Sequence, residues 1–206
     1  MKRIAIIGQG YVGLTIAAYA AEYFEVIGFD SNQKLVDRLN LGISHIEGVD
    51  STLLAKWIKA NRYTATSKGS DIRECEIIII AVPTPLTLDR KPDLGFIDAA
   101  CKTIGQNLTK QVLIINESTS FPGTLRSYIK PAIEKYSSNQ IEHLFLFVCL
   151  KGKTHCFANT FGVLLSKKYR IPDTTASSTS SWLTFGKDHI CSSRAGKCCV
   201  CLTLPC

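Results

Sequence analysis

The stretch IAIIGQGYVGL at residues 4–14 constrains the fold more than any other part of the chain, because an apolar run leads directly into three closely spaced glycines. The apolar run predicts a short buried strand, and the Ala-rich residues 11–22 predict a helix packed closely on a sheet. Gly8 permits a tight turn out of the strand, Gly10 lets a ligand approach the main chain, and Gly13 lets the helix approach the strand. The stretch therefore predicts a strand, a glycine turn and a helix in direct succession.

This glycine turn predicts a dinucleotide site. The start of the helix would point N–H groups and the positive end of its dipole at a pyrophosphate. Asp30 ends the next predicted strand, residues 25–29, and stands 17 positions after Gly13. Its carboxylate can accept hydrogen bonds from both hydroxyls of a ribose and would repel a 2′-phosphate, so the pattern favours NAD over NADP. A glycine turn in another kind of α/β protein is the alternative.

Strands and helices alternate along most of the chain. The run EIIIIAV at residues 76–82 is rich in β-branched side chains, which is typical of a strand buried on both faces. Further strands are predicted over 63–66 and 111–115, and helices over 32–41, 51–60, 94–108 and 124–136. This alternation predicts an α/β fold, a Rossmann-like doubly wound parallel sheet with helices on both faces, over residues 1–145.

The pattern changes near residue 146. Residues 1–145 carry 16 Lys and Arg against 15 Asp and Glu, whereas residues 146–206 carry eight against two. Seven of the nine cysteines lie in the second part, and the helical and alternating patterns end there, although LFLFVCL at residues 144–150 favours one more strand. We therefore expect a domain over 1–145, followed by a poorly structured tail.

Two loops with hydroxyl and carboxylate side chains follow neighbouring strands. Val82-Pro83-Thr84-Pro85 comes after the strand 76–82, and its prolines predict a rigid loop. Asn116-Glu117-Ser118-Thr119 follows the next predicted strand. Because parallel strands end at the same edge of a sheet, we expect both loops to lie beside the glycine turn. Ordinary loops with helix-capping residues are the alternative.

GQGYVG, Asp30, VPTP, KPDL (91–94) and ESTSFPGT occur in an order that resembles the NAD-dependent UDP-sugar 6-dehydrogenases. GISHIEGVD (42–50) and PLTLDRKPDL (85–94) are most similar to the branch that acts on UDP-N-acetylhexosamines, UDP-N-acetylglucosamine above all. The resemblance implies oxidation of the sugar C6 hydroxyl to a carboxylate in two hydride transfers to NAD, through a cysteine thiohemiacetal and thioester.

The resemblance also implies roles for particular residues. The main chain of Tyr11 and Val12 would contact the pyrophosphate, beside the glycines. Asp30 would hold the adenosine ribose, and Thr84 would lie along NAD. Thr119 would lie near the nicotinamide and help place the catalytic water, and Glu117 is a second catalytic candidate, with capping of the turn as its alternative. The cofactor residues are thus Gly8, Gly10, Tyr11, Val12, Gly13, Asp30, Thr84 and Thr119.

The chain departs from the family pattern in two places. Leu35 stands where many members carry a basic residue, with Lys34 beside it. Beyond residue 145 the family's Pro-Glu-Arg loop, central helix, lysine and asparagine pair, cysteine segment and UDP-binding domain have no counterpart. Cys75 and Cys101 are expected to be small core residues. The sequence therefore predicts the truncated NAD-binding half of such an enzyme, inactive by itself. A non-catalytic NAD-binding fragment and a non-functional frameshifted product are the alternatives.

We interpret residues 146–206 as out-of-frame coding or a disordered segment. Zinc is the rival interpretation, because Cys198 and Cys201 have knuckle spacing and His189, Cys191 and Cys206 could complete a site. Only one cysteine pair is clean, so no metal is expected. A disulfide framework is disfavoured by the lack of a secretory signal, and the scattered lysines disfavour nucleic acid.

The chain offers no run of eighteen apolar residues, so we expect no membrane-spanning helix. The near-neutral first part favours a cytoplasmic enzyme domain, and the resemblance implies a UDP-sugar as its partner. Members of the resembled family are homodimers whose contacts lie largely in the central helix, so the sequence leaves the oligomeric state of this chain open.

Overall fold

The computed structural model describes residues 1–110, 112–121 and 123–137, and the backbone of Leu146–Cys149. Six strands of this part form one sheet, in which every neighbouring pair is parallel and the order is β3-β2-β1-β4-β5-β6. The strands are β1 (Arg3–Ile7), β2 (Glu25–Phe29), β3 (Tyr63–Thr66), β4 (Ile77–Ile80), β5 (Leu113–Asn116) and β6 (Leu146–Cys149). This is the predicted doubly wound parallel sheet.

The direction of winding reverses between β1 and β4. The chain first builds outward from β1 through β2 to β3, then returns to pair β4 with the other side of β1. β1 and β4 therefore lie next to each other at the point where the strand order reverses. In open α/β sheets this switch point is where ligands bind.

Helices cover the sheet. They are α1 (Tyr11–Ala20), α2 (Gln33–Asn40), α3 (Ser51–Lys59), α4 (Gly95–Asn107) and α5 (Lys130–Tyr136). Each overlaps a predicted helix, whereas the short 3₁₀ helix Gly69–Ile72 was not predicted. The predicted helix 124–136 is one element only in part, because Leu125–Ile129 forms a π-helical turn. Pro131 explains this turn, because proline lacks an N–H and its ring crowds the carbonyl four residues earlier.

Two apolar clusters pack on the two faces of the sheet. Alternate strand residues such as Ile4, Ile6 and Ile79 pack with α1, α2 and α3 on one face. The residues between them, such as Ile7 and Ile80, pack with α4 and α5 on the other face. Burial on both faces is why the strands consist of continuous apolar runs instead of alternating ones.

The sheet extends slightly beyond the predicted domain boundary at residue 145. β6 lies at Leu146–Cys149 and pairs with β5, as the apolar run at 144–150 favours. The division of the chain at 145 stays a prediction, and the interpretation of residues 150–206, including the zinc alternative, concerns residues outside the described part of the chain.

Cys75 and Cys101 are fully buried, as expected for core residues. Among the helices of the described residues, none has the length and apolar character that crossing a bilayer requires.

Candidate dinucleotide site

The three glycines of the β1–α1 turn differ in what an added Cβ would contact. Gly8 has a φ of +92°, and a Cβ there would lie 2.7 Å from the carbonyl oxygen of Ala81. A Cβ on Gly13 would lie 1.8 Å from the carbonyl oxygen of Gly8, so α1 can contact the turn only without one. A Cβ on Gly10 would contact nothing within 4 Å. The fold itself thus requires Gly8 and Gly13, while Gly10 leaves open space at the start of the helix.

That open space lies at the N-terminus of α1. Gly10 is the N-cap and supplies no side-chain hydrogen bond, and no acidic side chain occupies the first turn. The first intrahelical bond runs from the Leu14 amide to the Gly10 carbonyl at 3.0 Å, so the preceding amides face the same opening. Tyr11 and Val12 both have exposed side chains on this turn, 64% and 40% exposed. An anionic group fits here, because nothing of the described chain fills the opening.

Asp30 lies beside this opening, at the end of β2. Its Oδ2 accepts from the Gln9 amide at 2.8 Å, and its Oδ1 accepts from the Asn32 amide at 2.9 Å. Each carboxylate oxygen retains a second lone pair, so the pair of oxygens can still accept from two hydroxyls of a ligand. The amides fix the orientation of the carboxylate before any ligand binds.

His45 lies close enough to Asp30 to feel its charge. The pKa of His45 is lowered, chiefly by burial and then by the charge of Arg38, and Asp30 opposes both effects. Leu35, where many members of the resembled family carry a basic residue, packs instead against the apolar core. Position 35 therefore supplies no basic side chain beside the acid.

The loops after β4 and β5 meet the glycine turn at one edge. Gly8 lies against Ala81 and Val82, whose Cγ1 would be 3.1 Å from an added Cβ. The Val82 amide donates to Ser118 Oγ at 3.0 Å, and the Thr84 hydroxyl donates to the Thr119 carbonyl at 2.5 Å. These bonds bring the predicted residues Thr84 and Thr119 together.

Glu117 begins the second of these loops. Its amide donates to the carbonyl of Ile80 at 2.8 Å, which continues the register of β5 along β4. The side chain is half-buried. Thr119, two residues later, is exposed.

Sequence reasoning missed two residues of this region, Gln9 and Tyr63. Gln9 lies inside the glycine turn and is fully buried, and its Oε1 accepts from the Tyr63 hydroxyl at 2.9 Å. A polar residue between two glycines suggests a solvent-exposed position, and its partner lies 54 residues away. Their role becomes visible only from the hydrogen bond between them in the folded structure.

A glycine turn between β1 and α1, beside the switch point of the sheet, and an acid at the end of β2 define a dinucleotide-binding domain of the dehydrogenase type. The model of the UDP-glucose/GDP-mannose dehydrogenase family, NAD binding domain, matches residues 2–149. The chain therefore belongs to the UDP-glucose/GDP-mannose dehydrogenase family and contains its NAD-binding domain, and NAD is the cofactor of that domain.

Individual relatives agree. UDP-N-acetyl-D-glucosamine 6-dehydrogenase of Pseudomonas aeruginosa is 35% identical over 135 residues, which is 66% of this chain and 31% of that protein. UDP-N-acetyl-D-mannosamine dehydrogenase of Salmonella typhi is 40% identical over 119 residues, 57% of this chain and 28% of that protein. A crystal structure of GDP-mannose dehydrogenase from Pseudomonas aeruginosa superposes with a TM-score of 0.66 at 26% identity, covering 77% of this chain and 38% of that one. The chain thus spans about a third of the length of the relatives it matches.

Proposed function

We propose that this chain is the NAD-binding half of a dehydrogenase that oxidises the C6 hydroxyl of a UDP-sugar to the uronic acid for polysaccharide biosynthesis, with UDP-N-acetylglucosamine as the substrate. The observation that carries the proposal is the convergence of the glycine turn, Asp30 and the Thr84–Thr119 pair at the β1/β4 switch point. The names of the relatives from Pseudomonas aeruginosa and Salmonella typhi support a UDP-N-acetylhexosamine.

Different residues of the site bind different parts of NAD. The amides of Tyr11 and Val12, with the space left by Gly10, receive the pyrophosphate, because α1 presents unpaired N–H groups there. Asp30 accepts from the two ribose hydroxyls on the adenosine side. Gly8 and Gly13 hold the turn against β4 and α1.

The loops after β4 and β5 serve the reacting end. A bound NAD would supply the hydride acceptor for oxidation of the sugar carbon. Thr84 would lie along NAD and Thr119 near its nicotinamide, with their loops tied by the bond between them. Thr119 orients the water that completes the oxidation, and Glu117 of the same loop is the second catalytic candidate.

We propose further that the chain alone does not complete this reaction. A nucleophilic cysteine must reach the thiolate state. Burial raises the pKa of both Cys75 and Cys101 to about 12, so neither of the cysteines with described side chains qualifies. This observation favours the second candidate function, an NAD-binding module without turnover. We also propose a cytoplasmic location. We assign homodimer contacts to the region of the relatives that this chain does not match, and propose no oligomeric state for the chain itself.

A paired titration and turnover assay tests both statements. The 206-residue chain is titrated with NAD by calorimetry, then incubated with NAD and UDP-N-acetylglucosamine, UDP-N-acetylmannosamine or UDP-glucose while NADH absorbance is followed. We expect NAD binding and no NADH. Absence of NAD binding would contradict the proposed cofactor site. Sustained NADH formation would contradict the proposal that the chain alone is inactive.

A further inference from the structure

Gln9 has every side-chain hydrogen-bonding group paired although it lies inside a ligand-binding turn. It is fully buried. Its Nε2 donates to the carbonyl oxygens of Ile6 at 2.9 Å and Gly8 at 3.2 Å, while its Oε1 accepts from Tyr63. Burial of an amide without partners is costly, so this pairing fixes the side chain in one orientation. The glycine turn is thereby anchored from beneath.

The partner Tyr63 comes from β3, two strands away from β1. The side chain is 1% exposed and reaches across β2 to Gln9. Gly28 of β2 lies between them, and a Cβ there would be 2.6 Å from Gln9 Oε1 and 2.7 Å from the Tyr63 hydroxyl. Glycine inside a strand ordinarily weakens it, and here it provides the space in which the two side chains meet.

The same residue also holds the ribose acid. The main-chain amide of Gln9 donates to Asp30 Oδ2, and the neighbouring Gly8 amide donates to the Phe29 carbonyl at 2.8 Å. Gln9 therefore connects Tyr63 on one side with Asp30 on the other. The pKa of Tyr63 is raised, first by burial and then by the charge of Asp30, so the hydroxyl remains a donor at neutral and moderately alkaline pH.

We propose that Gln9 and Tyr63 are positioning residues for NAD: their buried bond sets the main chain of the glycine turn, and with it the Asp30 carboxylate, in the binding geometry before the cofactor arrives. The inference rests on the NAD site described above. It adds that the affinity of this site depends on a side chain in β3 that lies beneath the turn and is shielded from solvent.

Tyr63→Phe removes only the hydroxyl and tests the proposal directly. The matched control is Tyr136→Phe, which removes a hydroxyl bond of 3.0 Å to Asp98 between α5 and α4, on the opposite face of the sheet. We expect Tyr63→Phe to weaken NAD binding about five- to tenfold, because it leaves the Gln9 oxygen buried without a donor. Tyr136→Phe is expected to leave the NAD dissociation constant unchanged.

Hydrogen exchange of the free chain supplies a readout that does not depend on NAD. In Tyr63→Phe the amides of residues 8–14 should exchange faster than in the wild type, and in Tyr136→Phe they should not. Equal exchange and equal NAD affinity in the two variants would overturn the proposal. A wild-type chain that binds no NAD would instead overturn the cofactor site itself.

A double-mutant cycle separates positioning from general loss of stability. Gln9→Met keeps an unbranched side chain of similar length but removes the amide. Because the Tyr63 hydroxyl reaches the turn only through the Gln9 side chain, the double variant should bind NAD no more than about twofold more weakly than Gln9→Met alone. Fully multiplicative losses would show that the residues act independently and would contradict the proposal.

Discussion

The Thr84 hydroxyl donates to the main-chain carbonyl of Thr119 at 2.5 Å, and this bond joins the loop after β4 to the loop after β5. A second bond, from the Val82 amide to Ser118 Oγ, ties the same two loops together. The reacting side of the proposed site is therefore one connected unit held by side-chain to main-chain bonds.

Replacement of Thr84 by valine should loosen this unit, because valine has the same shape but no donor. We expect faster amide exchange in residues 117–121 and NAD binding weaker by about threefold or more, in line with the net worth of one hydrogen bond. Thr84→Ser keeps the hydroxyl and serves as the control. Indistinguishable exchange in Thr84→Val and Thr84→Ser would show that the bond does not order the loop.

The glycines should separate folding from binding. Gly13→Ala should destabilise the chain by about 1–3 kcal/mol or more, because its Cβ would overlap the Gly8 carbonyl. Gly10→Ala should leave the thermal midpoint within a few degrees of the wild type, because its Cβ meets open space. The same variant should weaken NAD binding at least about tenfold by crowding the pyrophosphate.

Calorimetry and thermal unfolding of both glycine variants check this. Unchanged NAD affinity in a folded Gly10→Ala chain would place the pyrophosphate elsewhere. Full stability in Gly13→Ala would contradict the close contact of α1 with the turn.

Cys75 and Cys101 should resist alkylation in the folded chain. Burial raises the pKa of each thiol to about 12 from an ordinary value of 9.0, against the opposing charges of Arg3 and Lys110 near Cys75. At about pH 8 an ordinary exposed thiol is partly ionised, whereas these stay protonated. Peptide mass spectrometry after iodoacetamide treatment should find them modified only in denaturant. Equal modification with and without denaturant would show that they are accessible.

The same thiols predict an alkaline limit to stability. The folded state holds the protons more tightly than the unfolded state, so this contribution to the free energy of unfolding is complete below about pH 9 and is lost as pH rises toward 12. Chemical denaturation of Cys101→Ala should show a weaker decline over that range than the wild type. An identical decline would assign the alkaline loss to other groups.

The sequence predicts the strands closely because their signal is local. Ile77–Ile80 is an uninterrupted β-branched run that is buried on both faces, and such runs have few alternatives in an α/β chain. The glycine turn and Asp30 are equally readable, because their spacing follows from the geometry of one strand, one turn and one helix. The expected family and fold are confirmed by the family match.

Features that depend on contacts between residues far apart in the chain could not be predicted from the sequence. The π-helical turn at Leu125–Ile129 follows from Pro131 but retains helical periodicity, so the pattern predicts a regular helix. Gln9 looks like a solvated residue until Tyr63 is placed beneath it. The roles of Thr119 and Glu117 come from the resemblance and stay predictions.

We propose that Asp30 holds the ribose of NAD, and the decisive measurement is the affinity of the full chain for NAD with and without this acid. Asp37→Ala, which removes an exposed acid of α2 bonded to Gln33, is the matched control. We predict that Asp30→Ala binds NAD at least about tenfold more weakly, because two charge-assisted hydrogen bonds to the ribose are lost. The variant should also lose the preference for NAD over NADP, because the carboxylate that repels a 2′-phosphate is gone. Unchanged NAD affinity in a folded Asp30→Ala chain would contradict the account.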